Sequence, residues 1–211
     1  NTNDEISADF SEHNPSERIK MIDSYQAVTP RHLTTYTSTA ITFHWLMAVL
    51  LAANFALGVT MSDMSLSPQK LQFVSWHKWT GITLLGLVTL RFLWRAFANR
   101  PVLLPMAAWQ RRLAKLTHFL MYVLLFAIPI SGWLMSSAGG FTVTYLGLFP
   151  LPDLVAKDKQ LFELLKEVHE VLNFTLLGLV ILHVLAVLKH QFIDRDATLA
   201  RMVPWLKPRP R

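Results

Sequence analysis

Six of the eight histidines in this 211-residue chain lie in or beside apolar segments: His44, His77, His118, His169, His183 and His190. Burying an imidazole without a partner costs roughly 2–7 kcal/mol, so each of them demands one. The chain has no cysteine, which excludes disulfides, thiolate metal sites and thiol nucleophiles and leaves histidine as the one strong ligand present in quantity. Three of the six share a single apolar stretch. His183 follows His169 by 14 residues, about 21 Å along a helix axis, and His190 lies a further two turns on. At about 100° per residue, His183 and His190 sit only about 40° and 60° around the helix from His169, so all three occupy one face. Zinc ligands on one helix usually stand three to five residues apart, and this spacing is far wider. It suits two planar cofactors stacked across a membrane, each haem iron taking one axial imidazole from either side within a helical bundle.

The elements that must carry these side chains follow from composition. The chain is 52% hydrophobic and 16% charged, against about 25% charged in an ordinary soluble domain. It reads as an all-α membrane protein. Four segments approach the roughly 20 apolar residues of a spanning helix, at about 39–61, 77–94, 116–138 and 169–190. The second is short: twelve residues separate Lys78 from Arg91, so it spans only if both cations snorkel to opposite interfaces. The third contains Pro129, which predicts a kink. The first 30 residues carry acids and no apolar core, so no signal peptide is expected there.

Orientation follows from the basic residues of the connections. Segment 91–115 holds Arg91, Arg95, Arg100, Arg111, Arg112 and Lys115 with no acid. The segment after the fourth span adds Arg195, Arg201, Lys207, Arg209 and Arg211, whereas 136–168 sets three lysines against Asp153, Asp158, Glu163 and Glu167. Both termini are therefore expected in the cytoplasm, and the other two connections in the periplasm or its equivalent. The net charge of +6 then reads as anchoring to cytoplasmic-face lipid; no nucleic-acid partner is expected, because the basic residues border apolar spans. The organisation is a polar extension over 1–37, a four-helix transmembrane domain over 38–193 and a basic tail over 194–211.

Depth sorts the histidines. Only His77 and His169 lie at the outer ends of their spans. At the inner end His183 has two candidate partners, His44 and His118, of which His44 sits deeper and matches it better. His118 and His190 are left at the inner boundary, where a quinone headgroup or a proton path would need them. Trp45, Trp76, Trp79, Trp94, Trp109 and Trp205 lie near span ends and read as an aromatic belt. Gly81, Gly86, Gly132 and Gly178 allow close approach of helices or of a haem face. His13 and His32 fall in the polar extension and read as solvated.

Four stretches, in order, carry a resemblance: "ITFHWLMAVLL", "WHKWTGITLLGLVTLRFLWR", "LAKLTHFLMYVLLFAIPISGWLM" and "HEVLNFTLLGLVILHVLAVLKHQF". With the loop "YLGLFPLP" and the closing "DATLARMVP", residues 38–204 resemble the prokaryotic cytochrome b561 family, and most closely its superoxide-oxidising branch. The resemblance implies a four-helix bundle enclosing two b-type haems in a bacterial inner membrane, ligated by His44 with His183 and by His77 with His169. It also implies a quinone site near His118 and His190. The activity implied is one-electron oxidation of superoxide at the outer face and reduction of ubiquinone at the inner face. Lys78 and Lys166 then become candidate contacts for outer propionates or an incoming anion, and Arg91, Arg95 and Lys189 for the inner haem.

Two features depart from that pattern. The outer segments 62–78 and 136–170 together hold five lysines and six acids, which is no positive funnel for an anion. The 1–37 extension has a polar, Ser/Thr-rich composition and is a candidate attachment to a respiratory complex. Besides the enzyme, two other classes stay open: a cytochrome subunit passing electrons between quinone and a dehydrogenase or hydrogenase, and an accessory subunit docked on a respiratory complex.

Overall fold

The computed structural model describes residues 14, 36–97, 107–203, 205 and 206. Most of the 1–37 extension, including His13 and His32, lies outside them, as do Arg100, Lys207, Arg209 and Arg211. Four long helices dominate: α1 (Ser38–Ser62), α2 (Pro68–Phe97), α3 (Ala108–Ala138) and α4 (Lys159–Lys189). A two-stranded antiparallel hairpin, β1 (Thr144–Tyr145) and β2 (Phe149–Pro150), lies between α3 and α4. All four helices are long and apolar enough to cross a membrane. In hydrocarbon every backbone N–H and C=O must be satisfied within the chain, and helices do this segment by segment.

Helix starts explain where the simple hydropathy reading falls short. α1 begins behind Thr37, whose Oγ1 accepts from Ala40 N at 3.3 Å. α2 begins nine residues before His77, because Ser67 Oγ accepts from Lys70 N at 3.2 Å and Pro68 takes the first helical position, where its missing N–H costs nothing. α4 begins ten residues before His169, behind Asp158, whose Oδ1 accepts from Leu161 N at 3.0 Å. The caps are polar, so an apolar window misses the turns they start. In consequence the supposedly short second span belongs to a 30-residue helix, and His77 and His169 lie well inside their helices, not at their ends. Pro129 sits within the continuous α3.

α1 packs on α2, α2 on α3 and α3 on α4. α1 and α4 meet ring to ring, Phe55 with Phe174 at 5.9 Å and His44 with His183 at 6.5 Å. The α1–α2 and α3–α4 connections mark one end of the bundle, the loop end; the start of α1 and the end of α4 mark the other, the termini end. Two apolar clusters fill the middle: Met47, Leu84 and Val88, and Leu124, Ile128 and Leu176. Leu176 stands seven residues from both His169 and His183 on α4, so a dry layer separates the two histidine levels.

The fourth helix runs on through a π-helical turn, His190–Asp194, to Arg195 in the left-handed conformation. Beyond it the chain folds back: the Trp45 indole donates to Met202 O at 2.9 Å, and Val203 is buried. The start of the basic C-terminal segment is thereby docked on α1.

Candidate functional site

At the loop end the rings of His77 on α2 and His169 on α4 face each other with centroids 6.2 Å apart. Each is oriented by a neighbouring helix. His77 Nδ1–H donates to Asn54 O of α1 at 3.1 Å. Ser131 Oγ of α3 donates to Ile128 O at 2.8 Å, so His169 Nδ1–H donates to Ser131 Oγ at 2.9 Å. In both rings this leaves Nε2 with its lone pair free, the arrangement that a metal-binding imidazole needs. A glycine clears space beside each ring: a Cβ at Gly58 would stand 3.2 Å from His77 Cε1, and one at Gly132 3.0 Å from His169 Cε1.

At the termini end three imidazoles meet. His44 of α1 and His183 of α4 have centroids 6.5 Å apart, and His118 of α3 lies 5.3 Å from His183. An iron between two imidazoles, with metal–nitrogen bonds of about 2.0 Å and about 1.1 Å from each nitrogen to its ring centre, sets the centroids about 6.2 Å apart. The His77/His169 and His44/His183 separations, 6.2 and 6.5 Å, are near that length, and the His118/His183 separation, 5.3 Å, is shorter. His118 turns its Nδ1–H to its own helix, donating to Ala114 O at 2.6 Å. Asn54 Oδ1, deeply buried one turn along α1 from Gly58, has no donor among the described residues. A bound water or a polar cofactor group would satisfy it.

The cations named from the sequence separate by end. Lys78 Nζ donates to Ser136 Oγ at 2.6 Å and lies 5.9 Å from the centre of the Phe141 ring, so it ties α2 to the end of α3. Lys166 stands three residues before His169 on α4. Arg91 donates to Tyr122 OH at 3.2 Å and to Ala40 O, one turn before His44, at 3.3 Å. Arg95 lies over the Tyr122 ring at 5.8 Å. Lys189 is paired with Asp194 through both carboxylate oxygens, at 2.8 and 2.6 Å. His190 Nδ1 contacts Asp196 Oδ2 at 2.7 Å and Asp194 Oδ2 at 3.1 Å. Burial tends to raise the Asp196 carboxyl, but hydrogen bonds from Thr198 and His190 outweigh it and hold the group below its usual 3.8.

Several of these partners were not singled out from the sequence. Gly58, Asn54, Ser131 and Tyr122 each sit in an apolar helix with nothing local to mark them, and only the packing shows that they face a histidine or an arginine. Asp194 and Asp196 had a signal, being the first acids after the fourth span.

The family model of prokaryotic cytochrome b561 matches residues 35–205. Cytochrome b561 homolog 2 of Escherichia coli (strain K12) is 35% identical over 176 residues, covering 80% of this chain and 90% of that protein. Cytochrome b561 homolog 1 of the same organism is 26% identical over 174 residues, 80% of this chain and 97% of that one. The probable superoxide oxidase CybB of Yersinia pestis is 28% identical over 174 residues, 80% of this chain and 96% of that one. Four apolar helices with histidines facing one another across the bundle agree with this likeness: the chain belongs to the prokaryotic cytochrome b561 family, electron-transferring b-haem proteins that cross the bacterial inner membrane several times.

Proposed function

We propose that this chain holds two b-type haems, one between His77 and His169 and one between His44 and His183, and carries electrons from superoxide to ubiquinone. The observation that carries the reading is the pair of ring separations, 6.2 and 6.5 Å, at opposite ends of one bundle. When bound, each haem supplies a one-electron carrier. His77 with His169 and His44 with His183 would hold the haems, and a bis-imidazole haem would supply outer-sphere electron transfer.

The chain's own residues do the rest. With the loop end in the periplasm, as the positive connections imply, two superoxide anions give up one electron each and leave as dioxygen. Lys78 and Lys166 offer the positive charge at that end. The Met47, Leu84, Leu124, Ile128 and Leu176 layer keeps water out between the two levels. At the termini end ubiquinone takes two electrons and two protons to become ubiquinol. His190, in contact with Asp196, and His118 stand where those protons arrive from the cytoplasm. Arg91 places fixed positive charge near His44 and Arg95 lies over Tyr122, which Arg91 also contacts, a pair suited to haem propionates.

Rapid mixing of the purified holoprotein with superoxide tests the donor. Haem reduction within the dead time to milliseconds, followed by slower reoxidation by added ubiquinone, is expected; haems that stay oxidised would eliminate superoxide as donor. One observation favours a second reading: the loop-end segments carry six acids against five lysines. That balance suits an electron-transfer subunit that docks a protein donor, such as a dehydrogenase or hydrogenase, or an accessory subunit held to a respiratory complex through residues 1–37. Co-purification of a larger complex that is lost on deleting 1–37 is the result that would favour it.

A further inference from the structure

We propose that the connection between α3 and α4 is a re-entrant hairpin whose tip, Leu146-Gly147-Leu148, is covered by the acyl chains of the loop-end leaflet. After α3 ends the chain does not leave the bundle; it turns back along it. Pro152 O accepts from the Trp133 indole at 3.1 Å, a residue six positions before the cap Gly139 and so about 9 Å below the helix end. Thr144 O accepts from the Trp79 indole at 2.7 Å, and Tyr145 OH reaches Thr83 Oγ1 at 3.0 Å. Thr83 is six residues further along α2 than His77, about 9 Å deeper in the bundle.

Non-helical backbone at membrane depth survives only where its polar groups are satisfied. Here they are met from several sides: Leu151 N donates to Val143 O at 2.8 Å, Leu148 N to Tyr145 O at 3.0 Å and Gly147 N to Thr144 O at 3.3 Å, with the two indoles serving further carbonyls. Residues 139–152 contain no charged side chain. Leu148 and Phe149 are nevertheless 71% and 63% exposed in the isolated chain.

The turn residue is the most telling. Leu146 and Gly147 both have positive φ, 53° and 72°. A hairpin turn of this kind in water takes Asn, Asp or Gly at both central positions. Leucine there costs about 1–2 kcal/mol in backbone strain, and its side chain, half exposed, gains nothing from water in return. Lipid supplies the missing contact, continuous with the bilayer that already covers the helices beside the hairpin.

The absence of native cysteine makes the test clean. Leu148→Cys and, separately, Phe149→Cys holoproteins are labelled with bimane and placed in phosphatidylcholine vesicles, with Ser65→Cys in the α1–α2 connection as the reference. Retained haem absorbance certifies the fold. Phosphatidylcholine brominated near the headgroup end of the acyl chain should quench both hairpin labels strongly, and aqueous iodide should quench them several-fold less than the reference. Iodide quenching equal to the reference, with no effect of brominated lipid, would overturn the proposal and leave the patch to a protein partner. A second measurement needs no label. Leu146→Asn relieves the strained turn, so it raises the melting temperature if the tip meets water; the proposal expects a lower melting temperature in vesicles, and an unchanged or higher one contradicts it.

Discussion

The two histidine levels are built differently. At the loop end there are two imidazoles, each tied through Nδ1 to a helix outside the pair and each facing a glycine: His77 to Asn54 O of α1 near Gly58, His169 to Ser131 of α3 near Gly132. At the termini end there are three imidazoles, of which His118 turns its Nδ1–H to its own helix. Around them stand Arg91, Arg95, the Lys189–Asp194 pair and the His190–Asp196 contact. Under the proposed function the loop-end level would serve to fix a cofactor through two rigidly oriented imidazoles. The termini-end level surrounds its imidazoles with charged and ionisable side chains, which under the proposed function would serve reduction of a quinone.

That contrast can be broken at several points, and the largest effects should come from the ring pairs themselves. His169→Ala should abolish the loop-end haem and leave the termini-end haem, halving the pyridine haemochrome signal per chain. His44→Ala should do the converse, whereas His118→Ala should retain both haems; equal losses from the two would mean that the termini-end pair is misassigned. Next in size is Gly132→Ala. The added methyl meets His169 Cε1 at 3.0 Å, and overpacking of this kind costs about 1–3 kcal/mol, so it should lower loop-end haem occupancy selectively, read from the same haemochrome assay.

Ser131→Ala sharpens the comparison through a smaller change. Removing the acceptor for His169 Nδ1–H makes the imidazole a weaker electron donor to iron. The loop-end midpoint potential should rise by a few tens of millivolts, a tenfold change in a one-electron equilibrium being about 59 mV, while the termini-end potential stays put in a redox titration. The smallest effect concerns pH. The Asp196 carboxyl is held below its usual 3.8 in the folded chain, so the stability it contributes is present above that value and is lost as pH falls through the lower folded value. Hydrogen-exchange protection factors of the 196–203 amides, referred to the intrinsic exchange rate at each pH, should be unchanged from pH 7 to 5 and should fall only below about pH 4, with Asp196→Asn removing the dependence.

The fold was largely legible because a bilayer imposes a simple rule: apolar runs of spanning length become helices. All four spans were read from that rule. The levels of the histidines were legible too, since 1.5 Å per residue converts sequence spacing on α4 directly into depth. Helix starts were harder, because Ser67-Pro68 and Asp158 begin turns that extend beyond the apolar core. Partners across helices were harder still. Nothing near Ser131 in sequence ties it to a residue 38 positions later, and Gly58 acquires its role only when α2 lies against α1. The choice between His44 and His118 rests on depth alone in the sequence; both rings lie near His183, at 6.5 and 5.3 Å, so replacing each in turn is what separates them.

The central claim is that the chain carries two haems on two separate histidine pairs. Pyridine haemochrome content per chain, measured on the native protein and on His77→Ala side by side, tests it most directly. The account predicts about two haems falling to about one, with the remaining absorbance that of a bis-imidazole b-type haem. One haem in the native protein, or an unchanged content in His77→Ala, would contradict it.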